Sequence, residues 1–364
     1  MALKKTPLFD QHKKKSGKII EFAGYGLPIS YSSINYEHHI VRNHIGVFDV
    51  SHMGEFLISG ADSFDFLQKI TTNDLSKLQI GQAQYSVMCY EDGGIVDDFI
   101  VYKKQDEYLM VVNASNRGKN LKWMKKHQKG DVIIDDISDS IGLLAVQGPK
   151  SKDLLKKISN VNIDMIPFYH FCNGSIKGID LMISRTGYTG ELGYELYVKS
   201  DKLVDLWKHV LSEGKIFGIE PVGLGCRDTL RMEMKYPLYG LDINEDTNPI
   251  EAGLKWITKL EKKHFIGKSS LVQHNKNPQK NLVCIEMIER AIPRNGNTIH
   301  YNNEIIGEVT SGTMSPSLKK GICLGYVHSN QSQISTEILI DIRGNKKKGS
   351  IVSPPFYKKG SLMN

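Results

Sequence analysis

The chain has 364 residues, with 47 basic and 40 acidic side chains for a formal charge of +7, and 40% of it is hydrophobic. That length allows two or three domains with full cores, and that composition excludes a chain dominated by disorder. Only eight of the basic residues are arginine, which leaves 39 lysines spread along the chain, the pattern of a solvated surface rather than of a nucleic-acid binder.

The five cysteines (Cys89, Cys172, Cys226, Cys284, Cys323) are odd in number and widely spaced, with no CxxC pair and no histidine at ligand spacing. They read as reduced core thiols, with no metal expected. No apolar run approaches the ~18 residues of a membrane span, and the lysines near the N-terminus are not followed by an apolar stretch. A cytoplasmic protein without a membrane partner is expected.

In chain order, a helix is predicted over residues 33–45, where Ile34, His38, Val41 and Ile45 fall on helical spacing after a Ser-Ser start. Strands are expected at 55–59, 85–89, 95–103, 108–113, 131–137 and 141–147, with helices at 62–69 and 117–127. Short connections among these strands predict an antiparallel α+β architecture instead of repeated βαβ units. Helices follow at 201–213 and 222–234. The polar stretch 275–279, containing Pro278, is read as a linker. Beyond it, strands at 281–288, 304–310, 321–327, 336–343 and 350–353, punctuated by Asn302-Asn303 and Gly344-Asn345, predict a small barrel or sandwich of about 80 residues. There is no internal repeat.

Three segments carry candidate chemistry. In the first, a Gly93-Gly94 turn feeds a strand interrupted by two aspartates. Alternation groups Asp97 with Ile95, Phe99 and Val101, and Asp98 with Val96, Ile100 and Tyr102, so neither has a wet face. A buried carboxylate needs donors or a ligand. Turn amides would suit Asp97, which lies nearer the hairpin, as a structural residue.

In the second, Gly187, Gly190 and Gly193 recur every third residue between strand-like flanks. No strand-to-helix context follows, which excludes a dinucleotide fingerprint. Either the loop presents Tyr188 and Glu195 to one cleft, or it is an ordinary glycine-rich hairpin with Glu195 in solvent. In the third, a helix sets Arg227 and Arg231 one turn apart. Asp228 can satisfy Arg231 at i,i+3, leaving Arg227 for an anionic or carbonyl group or for a structural ion pair. His52, alone before a strand, reads as a packed residue more readily than a ligand. There is no hydrolase or nucleotide-triphosphatase signature.

Taken together, these strings resemble one family. Phe48 to Glu55, Tyr85 to Met88 before the 93–98 turn, Val112-Asn113-Ala114, Ala145 to Pro149, Arg185 to Glu195, Gly223 to Arg231, Tyr236 to Gly240, Asn248 to Leu254 and Ser311 to Leu318 resemble, in order and over almost the whole chain, the glycine cleavage system T-proteins. The resemblance implies three small domains in a cloverleaf around a central folate channel, with residues 1–275 as two intertwined α+β domains that bind folate and 280–364 as a C-terminal β-barrel.

It implies transfer of a methylene unit from an aminomethyl-lipoyl H-protein to tetrahydrofolate, yielding 5,10-methylenetetrahydrofolate, ammonia and dihydrolipoyl H-protein. By the same matching, Asp98 is the catalytic aspartate, stabilising positive charge on an iminium-like carbon. Glu195 takes the pterin N–H donors, Tyr85 and Tyr188 line the ring, and Met53, Asn113, Arg227 and Tyr236 border the site. The basic surface would dock acidic H-protein or the polyglutamate tail of folate. Relatives of other activity would be folate-dependent demethylases, or accessory factors for iron–sulfur maturation or tRNA modification. The Lys-Gly-Cys-Tyr type motif of the accessory factors is absent. One departure stands out: the family's arginine or tyrosine near the extreme C-terminus has no arginine counterpart here, leaving Tyr357, Lys358 and Lys359 as replacements.

Overall fold

The structure, a computed structural model, describes residues 3–362. Two antiparallel-rich sheets stand face to face. The six-stranded one runs, in spatial order, Phe171–Ile176, Ile179–Ser184, Gly193–Lys199, Ile141–Gln147, Ile45–Asp49 and Ile219–Pro221, with only the last pairing parallel. The five-stranded one runs Ala83–Cys89, Ile95–Lys103, Tyr108–Val112, Gly54–Ser59 and Ile133–Asp136. The chain inserts the whole second sheet between the central strand Ile45–Asp49 of the first and its neighbour Ile141–Gln147, so the two interleave in sequence.

Alternation decides the layers. Leu144, Val146 and Leu196 point outward onto Leu154, Leu155, Leu206, Trp207 and Val210 of the helices Ser151–Ile158 and Leu203–Gly214. Phe56, Ile58, Val101 and Met110 do the same beneath Phe66, Leu67, Trp123 and Met124 of Ser63–Ile70 and Arg117–His127. The two inner faces share a third core, in which Phe48, Ala145 and Tyr197 meet Tyr102, Leu109 and Val111. Ile40, Val41, Cys226 and Leu230, from the helices Ile34–Asn43 and Leu224–Glu233, complete that core.

The C-terminal strands close a six-stranded barrel: Lys280–Met287, Lys320–His328, Glu304–Ser315, Thr298–Tyr301, Glu337–Ile342 and Asn345–Val352. Val283, Ile285 and Met287 fill its interior, while Leu282 and Cys284 face outward onto Met232 of the helix Leu224–Glu233. The mixed α+β fold and the barrel thus agree with expectation, and Asn302-Asn303 makes the hairpin turn with φ of 49° and 68°.

Several boundaries differ. The predicted helix at 33–45 starts as expected, with the Ser33 hydroxyl accepting the Tyr36 N–H at 3.2 Å, but ends at Asn43, and Ile45 opens a central strand. The hairpin Lys18–Phe22 with Tyr25–Ser30 and the strand Phe171–Ile176 were not anticipated, because they alternate weakly, and Ile179–Ser184 was read only as a strand-like flank of the glycine loop. Asn275 belongs to the helix Lys268–Lys276, so only 277–279 connect to the barrel, and Glu251 holds that connection by accepting the Gln279 N–H at 2.8 Å. Among the described residues no helix is long and apolar enough to cross a membrane.

Candidate active site

A cavity of about 1280 Å³ opens where the inter-sheet core, the helix Leu224–Glu233 and the barrel meet. Its walls include all eight residues singled out from the sequence: Met53, Tyr85, Asp98, Asn113, Tyr188, Glu195, Arg227 and Tyr236. They come from segments up to 183 positions apart, and only the interleaved topology brings them to one space.

The aspartate pair is sorted by a β-bulge. Met88 pairs with Asp97 but Cys89 with Ile95, so Val96 is the extra residue. The simple alternation therefore fails on the turn side of the bulge: Val96, not Ile95, packs in the same core as Phe99 and Val101. From Asp97 onward it holds. Asp97 is fully buried on the helix side, and Asp98 stands half-buried on the cavity side with Ile100.

The donors to Asp97 correct the expectation of turn amides. Asn113 Nδ2 donates to its Oδ1 at 2.8 Å, Asn116 Nδ2 to Oδ1 at 2.7 Å and Asn120 Nδ2 to Oδ2 at 2.5 Å, while the turn N–H of Gly94 goes to Asp92. Asp98 is gripped from both sides. The Tyr85 hydroxyl donates to Oδ2 at 2.9 Å and Asn113 Nδ2 to Oδ1 at 2.8 Å, so Asn113 bridges the two carboxylates. Burial pushes both carboxyl groups above the usual carboxylate range; the charge of Asp98 raises Asp97 further, while the Tyr85 and Asn113 hydrogen bonds oppose the rise at Asp98. Burial and the neighbouring Asp98 charge likewise raise the Tyr85 phenol, which keeps it a donor.

Among the described residues, Glu195 takes its hydrogen bonds on Oε2 alone, from Thr186 at 2.5 Å, Tyr197 at 3.4 Å and Tyr102 at 3.5 Å. Oε1 is left for a ligand's donor. The loop before it wraps the side-chain amide of Gln147, which donates to the Thr186 carbonyl at 3.1 Å and accepts from the Thr189 hydroxyl at 2.9 Å. A Cβ on Gly187 or Gly193 would lie 2.1 or 2.4 Å from that amide, which is why glycine recurs there. The glycine spacing is a packing device that delivers Tyr188 and Glu195 to the cavity.

Tyr188 stacks on Tyr236 at 5.5 Å and 26°, with its hydroxyl donating to the Pro237 carbonyl at 2.5 Å. The Arg227 guanidinium lies 4.8 Å from the Tyr188 ring centroid, and its buried Nη1 has no hydrogen-bond partner among the described residues. Arg231 is satisfied as predicted by Asp228 at 2.8 Å, but its buried partner is Asp242 at 2.5 Å, on which no sequence signal bore. His52 is packed edge-on against Phe22 at 5.5 Å. Burial, reinforced by the Arg227 charge, pushes its pKa down to about 4, so it is neutral.

Sequence reasoning missed Trp256, which stacks on Tyr85 at 6.0 Å and 28°, and Tyr169, which lines the cavity with φ +60°. Trp256 lies two residues beyond the 248–254 string, and its being one of three tryptophans was an unused signal. At the C-terminus, Pro354, Pro355 and Leu362 line the cavity. Tyr357, by contrast, stacks over the Arg42 guanidinium at 4.1 Å, and Lys358 reaches Ser353 at 3.3 Å, so neither replaces the missing arginine at the wall.

The arrangement fits a flat, donor-bearing heterocycle: one open carboxylate oxygen, two aromatic stacks, an orphaned guanidinium nitrogen and a second, oriented carboxylate. Comparison with known proteins identifies the family. Residues 8–262 match the family described as GCVT N-terminal domain, and residues 280–358 the glycine cleavage T-protein C-terminal barrel domain. The chain is 48% identical to an aminomethyltransferase of Bacillus subtilis, covering 98% of this chain and 100% of that one. It is also 48% identical to one of Halothermothrix orenii, covering 97% and 100%. The crystal structure of glycine cleavage system aminomethyltransferase T from Bartonella henselae superposes with a TM-score of 0.91 at 31% identity, covering 99% of each chain.

Proposed function

The chain belongs to the glycine cleavage T-protein family and is an aminomethyltransferase, and we propose that it moves a one-carbon unit from the aminomethyl-lipoyl arm of an H-protein to tetrahydrofolate held in the 1280 Å³ cavity. Tetrahydrofolate supplies the amine nitrogens that accept the carbon. The protein's own groups bind and orient it. Glu195 Oε1 receives the N–H donors of the pterin edge, the stacked Tyr188 and Tyr236 and the Tyr85 and Trp256 pair border the ring, and Arg227 Nη1 finds the acceptor it lacks.

Asp98 is the catalytic group. With Tyr85 on one oxygen and Asn113 on the other, its carboxylate plane is set before any substrate arrives, and a preorganised anion stabilises positive charge developing beside it. Its raised proton affinity suits it to take up a proton at that point. Asp97, wholly consumed by asparagine donors, positions Asn113 and takes no part in the reaction itself. The charge of +7 favours approach of an acidic carrier protein.

The observation that carries this reading is the oriented Asp98 carboxylate on the same cavity wall system as the open Glu195 oxygen. Asp98→Asn is expected to lower turnover by about 10²- to 10⁴-fold while tetrahydrofolate affinity, measured by calorimetry, stays close to wild type. Near-normal turnover would remove Asp98 from the mechanism.

A further inference from the structure

At its barrel end the cavity presents two cations that the mechanism does not use, Lys235 and Arg294. Lys235 is half-buried and follows the helix Leu224–Glu233 with φ +58°, a left-handed conformation that glycine or asparagine holds with less strain. Its Nζ sits over Gly253, 2.9 Å from where a Cβ would stand, so a bare glycine, itself at φ +75°, makes room for the ammonium. Arg294 is exposed at the rim, donating to the Gly312 carbonyl at 3.0 Å.

Among the described residues neither side chain pairs with a carboxylate, although acidic partners are found for the buried Arg42 and Arg231. Of the carboxylates that line the cavity, Asp98 and Glu195 belong to the sheets, and Asp228, on the helix, is paired with Arg231 at 2.8 Å. Apart from Arg227 beside Tyr188, the cavity cations with no carboxylate partner among the described residues belong to the helix end and the barrel. An elongated ligand with hydrogen-bond donors at one end and carboxylates at the other matches that polarity.

We infer that Lys235, assisted by Arg294, binds the carboxylates of the ligand's glutamyl tail and sets how strongly the protein prefers a longer tail. The inference rests on the folate reading above.

The test compares binding of tetrahydropteroate, which lacks the glutamate, with tetrahydrofolate and its triglutamate, by calorimetry at two salt concentrations. Wild type is expected to bind the triglutamate most tightly, with that preference shrinking at high salt. Lys235→Asn, which keeps a left-handed backbone acceptable, should lose roughly fivefold in triglutamate affinity and nothing for tetrahydropteroate. Lys235→Arg should retain the preference. Arg294→Ala, a change at an exposed side chain, should lower it less.

A Lys235→Asn variant that keeps the wild-type ratio of triglutamate to tetrahydropteroate affinity, or that weakens all three ligands equally, overturns the inference and leaves the folate site standing. A wild-type protein that binds none of the three overturns the folate reading itself.

Discussion

Glu55 and Asp97 show how differently two buried carboxyl groups can be treated. Asp97 has an asparagine donor on each oxygen, whereas neither oxygen of the buried Glu55 has a hydrogen-bond partner among the described residues. Burial pushes the Glu55 carboxyl well above its ordinary range, so the folded chain keeps a proton there that the unfolded chain gives up. The stabilisation is therefore full below the ordinary carboxylate pKa of about 4.3 and is lost as pH rises toward the folded value. Glu55→Gln removes this titration, and thermal melts from pH 5 to 9 should show the variant gaining on wild type as pH rises; a constant difference would show that Glu55 does not titrate differently on folding. At this scale the residue pattern drew attention to the aspartate pair, Tyr188, Glu195 and Arg227, while Met53, Tyr85, Asn113 and Tyr236 were legible only through the family resemblance. It could not reveal the donors to Asp97, which come from a helix start 16 to 23 positions away, nor the bulge that turns Asp98 to the cavity.

Elements that place these residues were legible where their pattern was periodic and hidden where it was not. The strand Ile95–Lys103 and the helix Leu224–Glu233 were expected within two residues of their observed ends. The strand Phe171–Ile176 was not, since its side chains are nearly all half-buried or exposed and leave no alternation to read. The loop of residues 185–192 was legible as glycine-rich but not as a clasp, because the residue it clasps, Gln147, lies on another strand. Gly193→Ala would drive a methyl into the Gln147 amide. The expected cost is about 1–3 kcal/mol of stability in denaturant unfolding, together with weaker folate binding as Glu195 shifts. Unchanged stability and affinity would mean that the glycine spacing serves no packing purpose.

Across the whole molecule, buried charge ties the barrel to the sheets around the cavity. Arg231 bonds Asp242 and also reaches Ser311 on the barrel at 3.1 Å, while Asp242 accepts the Thr310 hydroxyl at 2.6 Å. Glu233 gathers Arg42, Ser315 and Ser317, and Glu191 takes the Ser361 N–H at 2.8 Å, so the tail is strapped back across the cavity wall. Arg231→Met strands Asp242 in the interior and should destabilise the protein by about 3–5 kcal/mol, with Arg231→Met/Asp242→Leu recovering part of the loss; equal melting of both variants and wild type would deny the pair its joining role. Such contacts between distant segments leave no local pattern, so the sequence suggested the barrel but not how it closes the cavity. The most direct measurement of the central claim is a crystal structure of the protein soaked with tetrahydrofolate. The account predicts the pterin edge on Glu195 Oε1, with the carbon-accepting nitrogens facing Asp98. A pterin bound outside the cavity, or turned so that Asp98 meets only the glutamyl tail, would contradict it.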